Sequence, residues 1–306
     1  MTALSFVHSL VGPAGHATVS SAADLRLHLR SCGVGDTIER AALGGRAASG
    51  LGWAFACGYE AALRRLLPSL GSGELAALCA SEEGGAHPRN IRTTLVPRGD
   101  GGWTLTGRKS WVTLGAEADV LLVVASVGSD PQGRNQLRVA RVPSGRTGVS
   151  FEAASPLPFA PEIGHTRVTL SEVAIAAEEL LLGDGYDEVL KPFRTIEDAH
   201  VLAAAVGWAV GVAKASGWDR AWIERAVGVI VALRAIGATP PSRPETHLAL
   251  AGAAALARRL LDEGSWAQAD GAVREAWERD RALLEVAARA REARIEAAWR
   301  KLGESP

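Results

Sequence analysis

The spacing of apolar residues changes twice along this 306-residue chain, and those two changes restrict its possible folds. Residues 1–76 and 186–306 are rich in alanine and leucine at helical spacing, as in WAFACGYEAALRRLLPSL at 53–70. Residues 77–185 instead contain short apolar or alternating runs. A helix repeats every 3.6 residues and a strand every two, so one secondary structure cannot satisfy both patterns. The chain must change its type of structure at both boundaries.

The order of these segments predicts an α+β protein with N-terminal helices (1–76), a central antiparallel β domain (77–185) and a C-terminal helical bundle (186–306). Turn-forming segments such as GDGG at 99–102 and PSGRTG at 143–148 separate the predicted strands, which is typical of a β sandwich or barrel. The run LLVVA is apolar throughout and predicts a strand that is buried on both faces.

The residue pattern of the C-terminal region predicts three helices. Residues 195–237 form one long Ala-rich periodic segment, which TPPSRPE at 239–245 ends. Helices are then predicted at 246–262 and 270–302. The last helix contains the charge-rich stretch ERDRALLEVAARAREARIEAAWRK, and we expect this stretch to be a solvated face or a dimer contact.

Composition excludes several classes of function. The net charge is −1, which argues against a nucleic-acid partner. Cys32, Cys57 and Cys79 form no CxxC pair, so neither a disulfide framework nor a zinc site is expected, and no metal is predicted. The N-terminus lacks the basic start of a signal peptide, and the apolar run Val201–Ala213 is too short to span a bilayer. We therefore expect a soluble cytoplasmic protein.

Two stretches carry candidate binding chemistry. LCASEEGGAHPRNIRT at 78–93 predicts a strand followed by a glycine-rich loop, where the Ser81 hydroxyl and nearby backbone N–H groups can approach a ligand. LTGRKSWVTLGAEADVLLVVA at 105–125 places Trp111 and Thr113 at the end of a predicted strand. An indole and a hydroxyl there can pack and hydrogen-bond a planar ring. Both residues are also ordinary strand formers, so a purely structural role stays open.

Together the two stretches resemble the acyl-CoA dehydrogenase family. The family's loop reads approximately C-x-T-E-P-x-A-G-S-D followed by I-x-T, and its next hairpin reads approximately G-x-K-x-W-I-T-N-G-x-x-A-D. Here CASEEGGAHP with IRT, and then GRKSWVTLGAEAD, follow in the same order at nearly the same spacing. The resemblance covers about residues 75–215, and the hairpin, its more specific part, agrees at Gly107, Lys109, Trp111, Thr113, Gly115, Ala118 and Asp119.

The resemblance implies an FAD cofactor and assigns roles to single residues. Ser81 occupies the position of a threonine that contacts the flavin. Trp111 matches an indole that packs on the isoalloxazine ring, and Thr113 matches a hydroxyl that bonds the ring edge. His87 replaces the serine of the S-D pair, which helps to fix the flavin and the thioester substrate.

The family's reaction is α,β-dehydrogenation of an acyl thioester, in which a glutamate removes the α-proton. In many members this base follows an R-D pair, and aligning that pair with Arg279-Asp280 puts the base position near Ala288. A second group carries the base just before V-L-A-A-G on the first long C-terminal helix, where this chain has Glu197. Glu197 is the candidate base, although a carboxylate favoured by the helix dipole near a helix start is an equal interpretation.

The partners implied are acyl-CoA or acyl-carrier-protein substrates, an unspecified electron acceptor, and a homodimer or tetramer formed through the C-terminal helices. No membrane partner is expected. The small residues of 201–213 support close helix contacts in such an oligomer. Of the histidines, His200 is one turn from Glu197 and either faces it or packs within the helix.

Departures from the family pattern leave two alternatives open. Glu83 replaces the loop proline, the N-terminal region is shorter by several helices, and no Arg-x-x-Phe-Gly segment or Gly-Gly loop follows the first C-terminal helix. The first alternative is a flavin-dependent oxygenase on the same fold. The second is a non-catalytic assembly partner that has lost FAD. The missing diphosphate-binding segment favours the assembly partner, whereas Trp111 and Thr113 favour an enzyme.

Overall fold

The computed structural model describes residues 3–13, 18–31 and 35–303, and the chain divides into two compact units. The helical unit comprises Met1–Gly73, Pro158–Glu162 and Phe193–Pro306. The β unit comprises Glu74–Leu157 and Ile163–Pro192. Cys57 and Cys79 are buried thiols of the helical unit and the β unit respectively, and Cys32 lies outside the described residues.

The β unit is built on one sheet of seven strands. The strands are β1 (Ala76–Cys79), β2 (Thr94–Pro97), β3 (Trp103–Thr113), β4 (Val120–Ser129), β5 (Asn135–Pro143), β6 (Val149–Ala153) and β7 (His165–Ile175). Their order is β1-β4-β2-β3-β7-β6, and β5 also pairs with β4. Four of the six pairings are antiparallel, while β1 and β2 run parallel to β4.

The strand β4 pairs with three other strands, β1, β2 and β5. Its first six residues, 120–125, are all buried, which confirms the prediction of a strand covered on both faces. Leu121, Val123 and Ala125 pack into the core of the β unit with side chains of β3, β5 and β7. The sheet and the flanking helical segments confirm the predicted α+β class.

The helical unit contains nine α-helices within the described residues. They are α1 (Ala3–Val11), α2 (Ala22–Ser31), α3 (Thr37–Ala47), α4 (Leu51–Leu66), α5 (Lys191–Ala215), α6 (Arg220–Gly237), α7 (Pro244–Asp262), α8 (Gly271–Asp280) and α9 (Ala288–Lys301). Apolar residues of the N-terminal and C-terminal helices share one core. Five buried tryptophans, Trp208, Trp218, Trp222, Trp266 and Trp277, stack or meet edge to face in that core.

Two predicted helices are interrupted. The segment 195–237 breaks into α5 and α6, because Gly217 adopts a left-handed φ of +67° and Asp219 caps α6 through a hydrogen bond from the Ala221 amide. The segment 270–302 breaks after Asp280, whose buried carboxylate accepts a 2.7 Å hydrogen bond from the Ala160 amide. The second break depends on a partner 120 residues away, so no local pattern predicts it.

Glycines let α3 and α5 touch through their backbones. A Cβ placed on Gly45 would lie 1.9 Å from the Ala204 carbonyl oxygen, and one on Gly207 would lie 2.1 Å from the Ala42 carbonyl oxygen. The small residues of 201–213 therefore pack α5 inside its own chain. They give no support to the homodimer or tetramer, which stays a prediction.

One helix, Gly185–Ala215, is long and apolar enough to cross a membrane by length and composition alone. Within its most apolar window, 78% of the residues are buried in the chain, as in the core helix of a soluble protein.

We expect Gly207→Ala to lower the free energy of unfolding by about 1–3 kcal/mol or more, because backbone atoms cannot rotate away from the new methyl group. Gly228→Ala is the matched control, since nothing lies within 4 Å of a Cβ at this site in α6. It should stabilise the protein by up to about 1 kcal/mol through helix propensity. Urea unfolding followed by circular dichroism measures both, and equal effects would contradict the proposed backbone contact.

Candidate functional site

A β-bulge turns Trp111 outward. Lys109 is buried, and strict alternation along β3 would put residue 111 on the same inner face. The pairing of β3 with β7 shifts register between Lys109 and Val112, so Val112 enters the core instead. Trp111 is consequently 42% exposed, and Thr113 is half-buried on the same outward side. Bulges commonly re-aim side chains in this way.

The exposed indole has one aromatic neighbour. The rings of Trp111 and His165 meet edge to face with centroids 6.1 Å apart, and His165 is the β7 residue paired with Thr113. Burial lowers the pKa of His165, so the ring is neutral near pH 7. The strand end therefore presents a flat aromatic surface without a positive charge at its edge.

A buried ion pair fixes the glycine-rich loop to the sheet. The Lys109 ammonium donates to the Glu82 carboxylate and to the Val124 carbonyl oxygen, each at 2.7 Å. The same carboxylate accepts hydrogen bonds from the Arg92 amide at 2.7 Å, the Thr93 amide at 3.1 Å and the Thr93 hydroxyl at 2.8 Å. Burial raises the pKa of Glu82, but these donors outweigh burial and hold it below its usual value. Glu82 is therefore ionised and joins both ends of the loop to β3.

Backbone contacts bring the loop close to β3. The Ser110 amide donates to the Ser81 carbonyl oxygen at 2.8 Å. A Cβ on Gly107 would lie 2.4 Å from the Thr93 hydroxyl oxygen, so only glycine permits this approach. Ser81 is thus held beside the strand that carries Trp111.

A cleft of about 1050 Å³ opens over this part of the β unit. We call it the strand-end cleft, and it is lined by Glu82, Glu83, Gly84, Asn90, Arg92, Thr93, Gly107, Arg108, Lys109, Ser110, Trp111, Glu152, Arg167 and Thr169. Its volume suits a ligand of cofactor size. Its wall combines an indole, glycines and several amide and guanidinium donors.

The predicted cofactor residues differ in their position relative to the strand-end cleft. Trp111 lines the strand-end cleft, Ser81 directly precedes the lining residue Glu82, and Thr113 lies two residues after Trp111. His87 is exposed, and its Nδ1 accepts a hydrogen bond from the Arg89 amide, capping a short 3₁₀ turn. Its side chain therefore has a local structural partner, and its contact with a cofactor stays a prediction.

Sequence reasoning missed Glu82 as part of this site. Glu82 stands next to Ser81 in the loop, and Lys109 is one of the matching positions of the hairpin motif. The available signal was an acidic residue of the loop motif, Glu82, and a basic residue of the hairpin motif, Lys109, each beside a predicted buried strand. A pair of opposite charges in two buried motifs predicts an ion pair, because a lone buried charge is too costly.

Glu197 lies in the helical unit, inside α5 and not at its start. It is the seventh residue of α5, which a π-helical turn, Gly185–Leu190, precedes. The helix dipole acts mainly within the first turn, so the interpretation of Glu197 as a helix-start charge is wrong. The predicted start of this helical segment at residue 195 is corrected to Lys191.

The surroundings of Glu197 favour its protonated form. The side chain is half-buried, and among the described residues nothing donates a hydrogen bond to its carboxylate. Burial, reinforced by the negative charge of Asp198, raises the pKa of Glu197 to about 8, against the opposing charges of Arg294, Arg194 and Arg291. A carboxyl group with this pKa exchanges protons near neutral pH.

Asp198, in contrast, is fully engaged. Its carboxylate accepts hydrogen bonds from Arg291 at 3.2 Å and from Arg294, both on α9. The two arginine side chains are only 16% and 20% exposed. The prediction that this charge-rich segment is only a solvated face or a dimer contact is therefore wrong for these two residues. Ala288, the alternative base position, begins α9 and lines a cleft of about 120 Å³ together with Asp198.

His200 is a packed helix residue. It is fully buried, with Nδ1 2.6 Å from the Ile196 carbonyl oxygen and Nε2 2.8 Å from the Thr37 hydroxyl. The carbonyl oxygen can only accept, so Nδ1 carries the proton and Nε2 accepts from Thr37. Burial lowers the pKa of His200 to about 4, which makes it neutral and unsuited to act as the base at pH 7.

Comparison with known proteins gives two kinds of sequence match. Residues 76–173 match the family described as acyl-CoA dehydrogenase, middle domain. The chain is also 28% identical over 153 residues to the probable acyl-CoA dehydrogenase FadE10 of Mycobacterium tuberculosis. That match covers 49% of this chain and 23% of the length of the relative.

Solved structures extend the likeness to the whole fold. Butyryl-CoA dehydrogenase from Megasphaera elsdenii matches with a TM-score of 0.72 at 15% identity over 99% of this chain and 97% of the other. The dibenzothiophene monooxygenase TdsC from Paenibacillus sp. A11-2 matches with 0.69 at 16% identity, covering 99% and 96%. The prolyl acyl carrier protein oxidase AnaB matches with 0.67 at 15%, covering 99% of each chain.

The fold is that of the solved acyl-CoA dehydrogenase-like structures. Residues 76–173 match the middle domain of the acyl-CoA dehydrogenase family by sequence, and the whole chain shares the fold of these solved structures. Members of the same fold include dehydrogenases, an oxidase and a monooxygenase, so the fold leaves the reaction open.

We expect Lys109→Met to lower the free energy of unfolding by about 3–5 kcal/mol, because the Glu82 carboxylate stays buried without its cation. The double variant Lys109→Met with Glu82→Gln removes the stranded charge and should lose less than the sum of the single changes. Arg141→Met is the control, since Arg141 pairs with Glu74 on the surface of the β unit. Its loss should cost only about 0–1 kcal/mol. Additive single effects in chemical denaturation would contradict the coupling of Lys109 with Glu82.

Proposed function

We propose that this protein is an FAD-dependent oxidoreductase that dehydrogenates the α,β-bond of an acyl thioester, with Glu197 as the α-proton base. The observation that carries the proposal is the half-buried Glu197 carboxyl group, which has no hydrogen-bond donor among the described residues and a pKa near 8. A structural carboxylate is normally paired, as Asp198 is. An unpaired one with a pKa close to working pH is suited to accept a proton.

The residues of the strand-end cleft fit a flavin. The outward-facing Trp111 offers a planar surface for an aromatic ring, and the cleft wall contains glycine at positions 84 and 107. Asn90 and Arg92 supply donors for carbonyl or phosphate oxygens. We propose that Trp111 packs on the ring, with Ser81 and Thr113 bonding its polar edge. When bound, FAD supplies a two-electron acceptor for the hydride that leaves the substrate β-carbon.

Glu197 supplies the other half of the reaction. Its carboxylate takes the proton from the α-carbon as the hydride leaves the β-carbon, and the electrons of the α C–H bond form the new double bond. At pH 7 a group with a pKa near 8 is mostly protonated, so its basic form grows as pH rises. The substrate class is an acyl thioester carried by coenzyme A or by an acyl carrier protein.

A second candidate is a flavin-dependent oxygenase on the same fold. It is supported by the alanine at position 288, one of the two positions where the family resemblance puts a base, and by the likeness to a monooxygenase structure. Such an enzyme uses no α-proton base. The two candidates therefore differ in whether Glu197 is needed.

We expect Trp111→Ala to lower flavin retention while leaving the unfolding midpoint nearly unchanged. Packing on an aromatic ring contributes about 0.5–1.5 kcal/mol beyond the buried area, so flavin affinity should fall several-fold or more. Trp299→Ala is the matched control, because Trp299 is 43% exposed against 42% for Trp111. Flavin absorbance of the purified variants measures retention, and full occupancy in Trp111→Ala would make this indole a structural residue only.

We expect Glu197→Gln to slow flavin reduction by an acyl thioester about 10²–10⁴-fold. The glutamine amide has a similar volume to the carboxylate but cannot accept the proton. In the wild type the reduction rate should rise with pH and level off above about 8, as the Glu197 carboxyl group ionises. Glu197→Gln should lose this rise. Stopped-flow absorbance measures the rates.

The control for this experiment is Glu188→Gln, which changes an exposed glutamate in the preceding π-helical turn and should keep the wild-type rate. Unchanged flavin reduction in Glu197→Gln would contradict the dehydrogenase proposal and favour the oxygenase. A protein that binds no flavin would contradict both and leave the non-catalytic assembly partner.

A further inference from the structure

Arginines from three helices line one cleft in the helical unit. Arg30 lies near the end of α2, Arg40 in α3, and Arg64 and Arg65 at the end of α4. The cleft has a volume of about 400 Å³ and is completed by Leu29, Gly35, Thr37, Pro68, Leu70, Gly71 and Ser72. None of these described lining residues carries a carboxylate. We call it the arginine cleft, and it shares no lining residue with the strand-end cleft or with the cleft at Asp198.

The arginines of this cleft differ in how their charge is neutralised. Arg64 is balanced by buried Glu60 at 2.5 Å. Arg65 instead donates from Nε to the Gly237 carbonyl oxygen at 3.3 Å, which leaves its charge unneutralised. Arg30 packs along Gly73, where a Cβ would lie 2.5 Å from its side chain. Within the described residues neither Arg30 nor Arg65 forms an ion pair, and Arg40 adds a further guanidinium to the same wall.

Buried contacts hold two of the side chains that line the cleft, those of Thr37 and Arg64. The Thr37 hydroxyl is held by His200, which is itself anchored to the Ile196 carbonyl oxygen. Arg64 is held by Glu60 and by the Gly71 carbonyl oxygen at 3.4 Å. A site whose walls are fixed before binding loses less conformational entropy when a ligand enters.

We propose that the arginine cleft binds a ligand through a diphosphate group. Guanidinium groups present planar pairs of N–H donors that match phosphate oxygens, and several of them together suit more than one negative charge. A volume of about 400 Å³ accommodates a diphosphate with a small attached group, near the lower end of the range for ligand sites. The proposal does not depend on the proposed dehydrogenase reaction.

Calorimetric titration of the purified full-length protein tests the site with two probes, inorganic pyrophosphate and ADP. Both carry the diphosphate, and only ADP adds a nucleoside. We expect saturable binding of one probe molecule per chain that weakens with added salt. Equal affinities would identify free diphosphate as the ligand chemistry, and tighter binding of ADP would identify a nucleoside diphosphate.

The variants Arg30→Gln and Arg65→Gln should each weaken binding about tenfold or more, since charge-assisted hydrogen bonds are among the strongest polar contacts. Arg65→Lys should fall between Arg65→Gln and the wild type, because it keeps the charge and loses the planar pair of donors. Arg243→Gln is the control, an exposed arginine at the start of α7 that pairs with Glu245. It should bind both probes like the wild type.

Three results would overturn the proposal: no saturable binding of either probe, wild-type affinity in both arginine-cleft variants, or an equal loss in Arg243→Gln. Arg30 is exposed, so Arg30→Gln should fold even if Arg65→Gln loses its contact with Gly237 and unfolds. Thermal unfolding of each variant identifies such a loss. Because the readout is binding alone, failure here is distinguishable from failure of the dehydrogenase proposal, which is read from flavin reduction.

Discussion

The buried ion pair between Lys109 and Glu82 is the interaction on which the β-unit site depends. Removing two charges from water is costly, and the cost is offset here because the carboxylate accepts from Lys109, Arg92 and Thr93. These hydrogen bonds tie the glycine-rich loop to β3 and, through the Val124 carbonyl oxygen, to β4. The bulge in β3 begins just after Lys109 and turns Trp111 outward. The same lysine therefore anchors the loop and marks where the strand changes face.

The helical unit depends on a different constraint, the close approach of α3 and α5. Glycines at positions 45 and 207 bring the two backbones into contact, which fixes the position of α5 within the unit. The hydrogen bond between Thr37 and His200 joins the same two helices through side chains. Glu197 is thus carried on a helix with little freedom to move. Its pKa near 8 follows from this fixed, partly dehydrated position and from Asp198 beside it.

Helix packing gives the neighbouring carboxylates Glu197 and Asp198 different surroundings. Glu197 and Asp198 are adjacent acids on one helix, and although the family resemblance selects Glu197, residue type alone does not distinguish their surroundings. Successive helix residues point about 100° apart, so only Asp198 meets Arg291 and Arg294 of α9. Asp198 is paired, whereas among the described residues nothing donates a hydrogen bond to Glu197. The arginine cleft arises in the same way, from side chains of α2, α3 and α4 that are distant along the chain.

The sequence by itself determined the α+β class, the strand β4 buried on both faces, and the family resemblance carried by Lys109, Trp111 and Thr113. Those features depend on local periodicity and on short motifs, which a single chain displays directly. Gly217 and Asp219 are also local signals for the break between α5 and α6. Only the tertiary structure decided the break at Asp280 and the pairing of Glu82 with Lys109. It also decided that, in the part of the chain that the structure describes, Asp198 forms ion pairs and Glu197 does not. Each of these depends on partners far away in the chain, because burial and hydrogen bonding are set by the assembled unit and not by neighbouring residues.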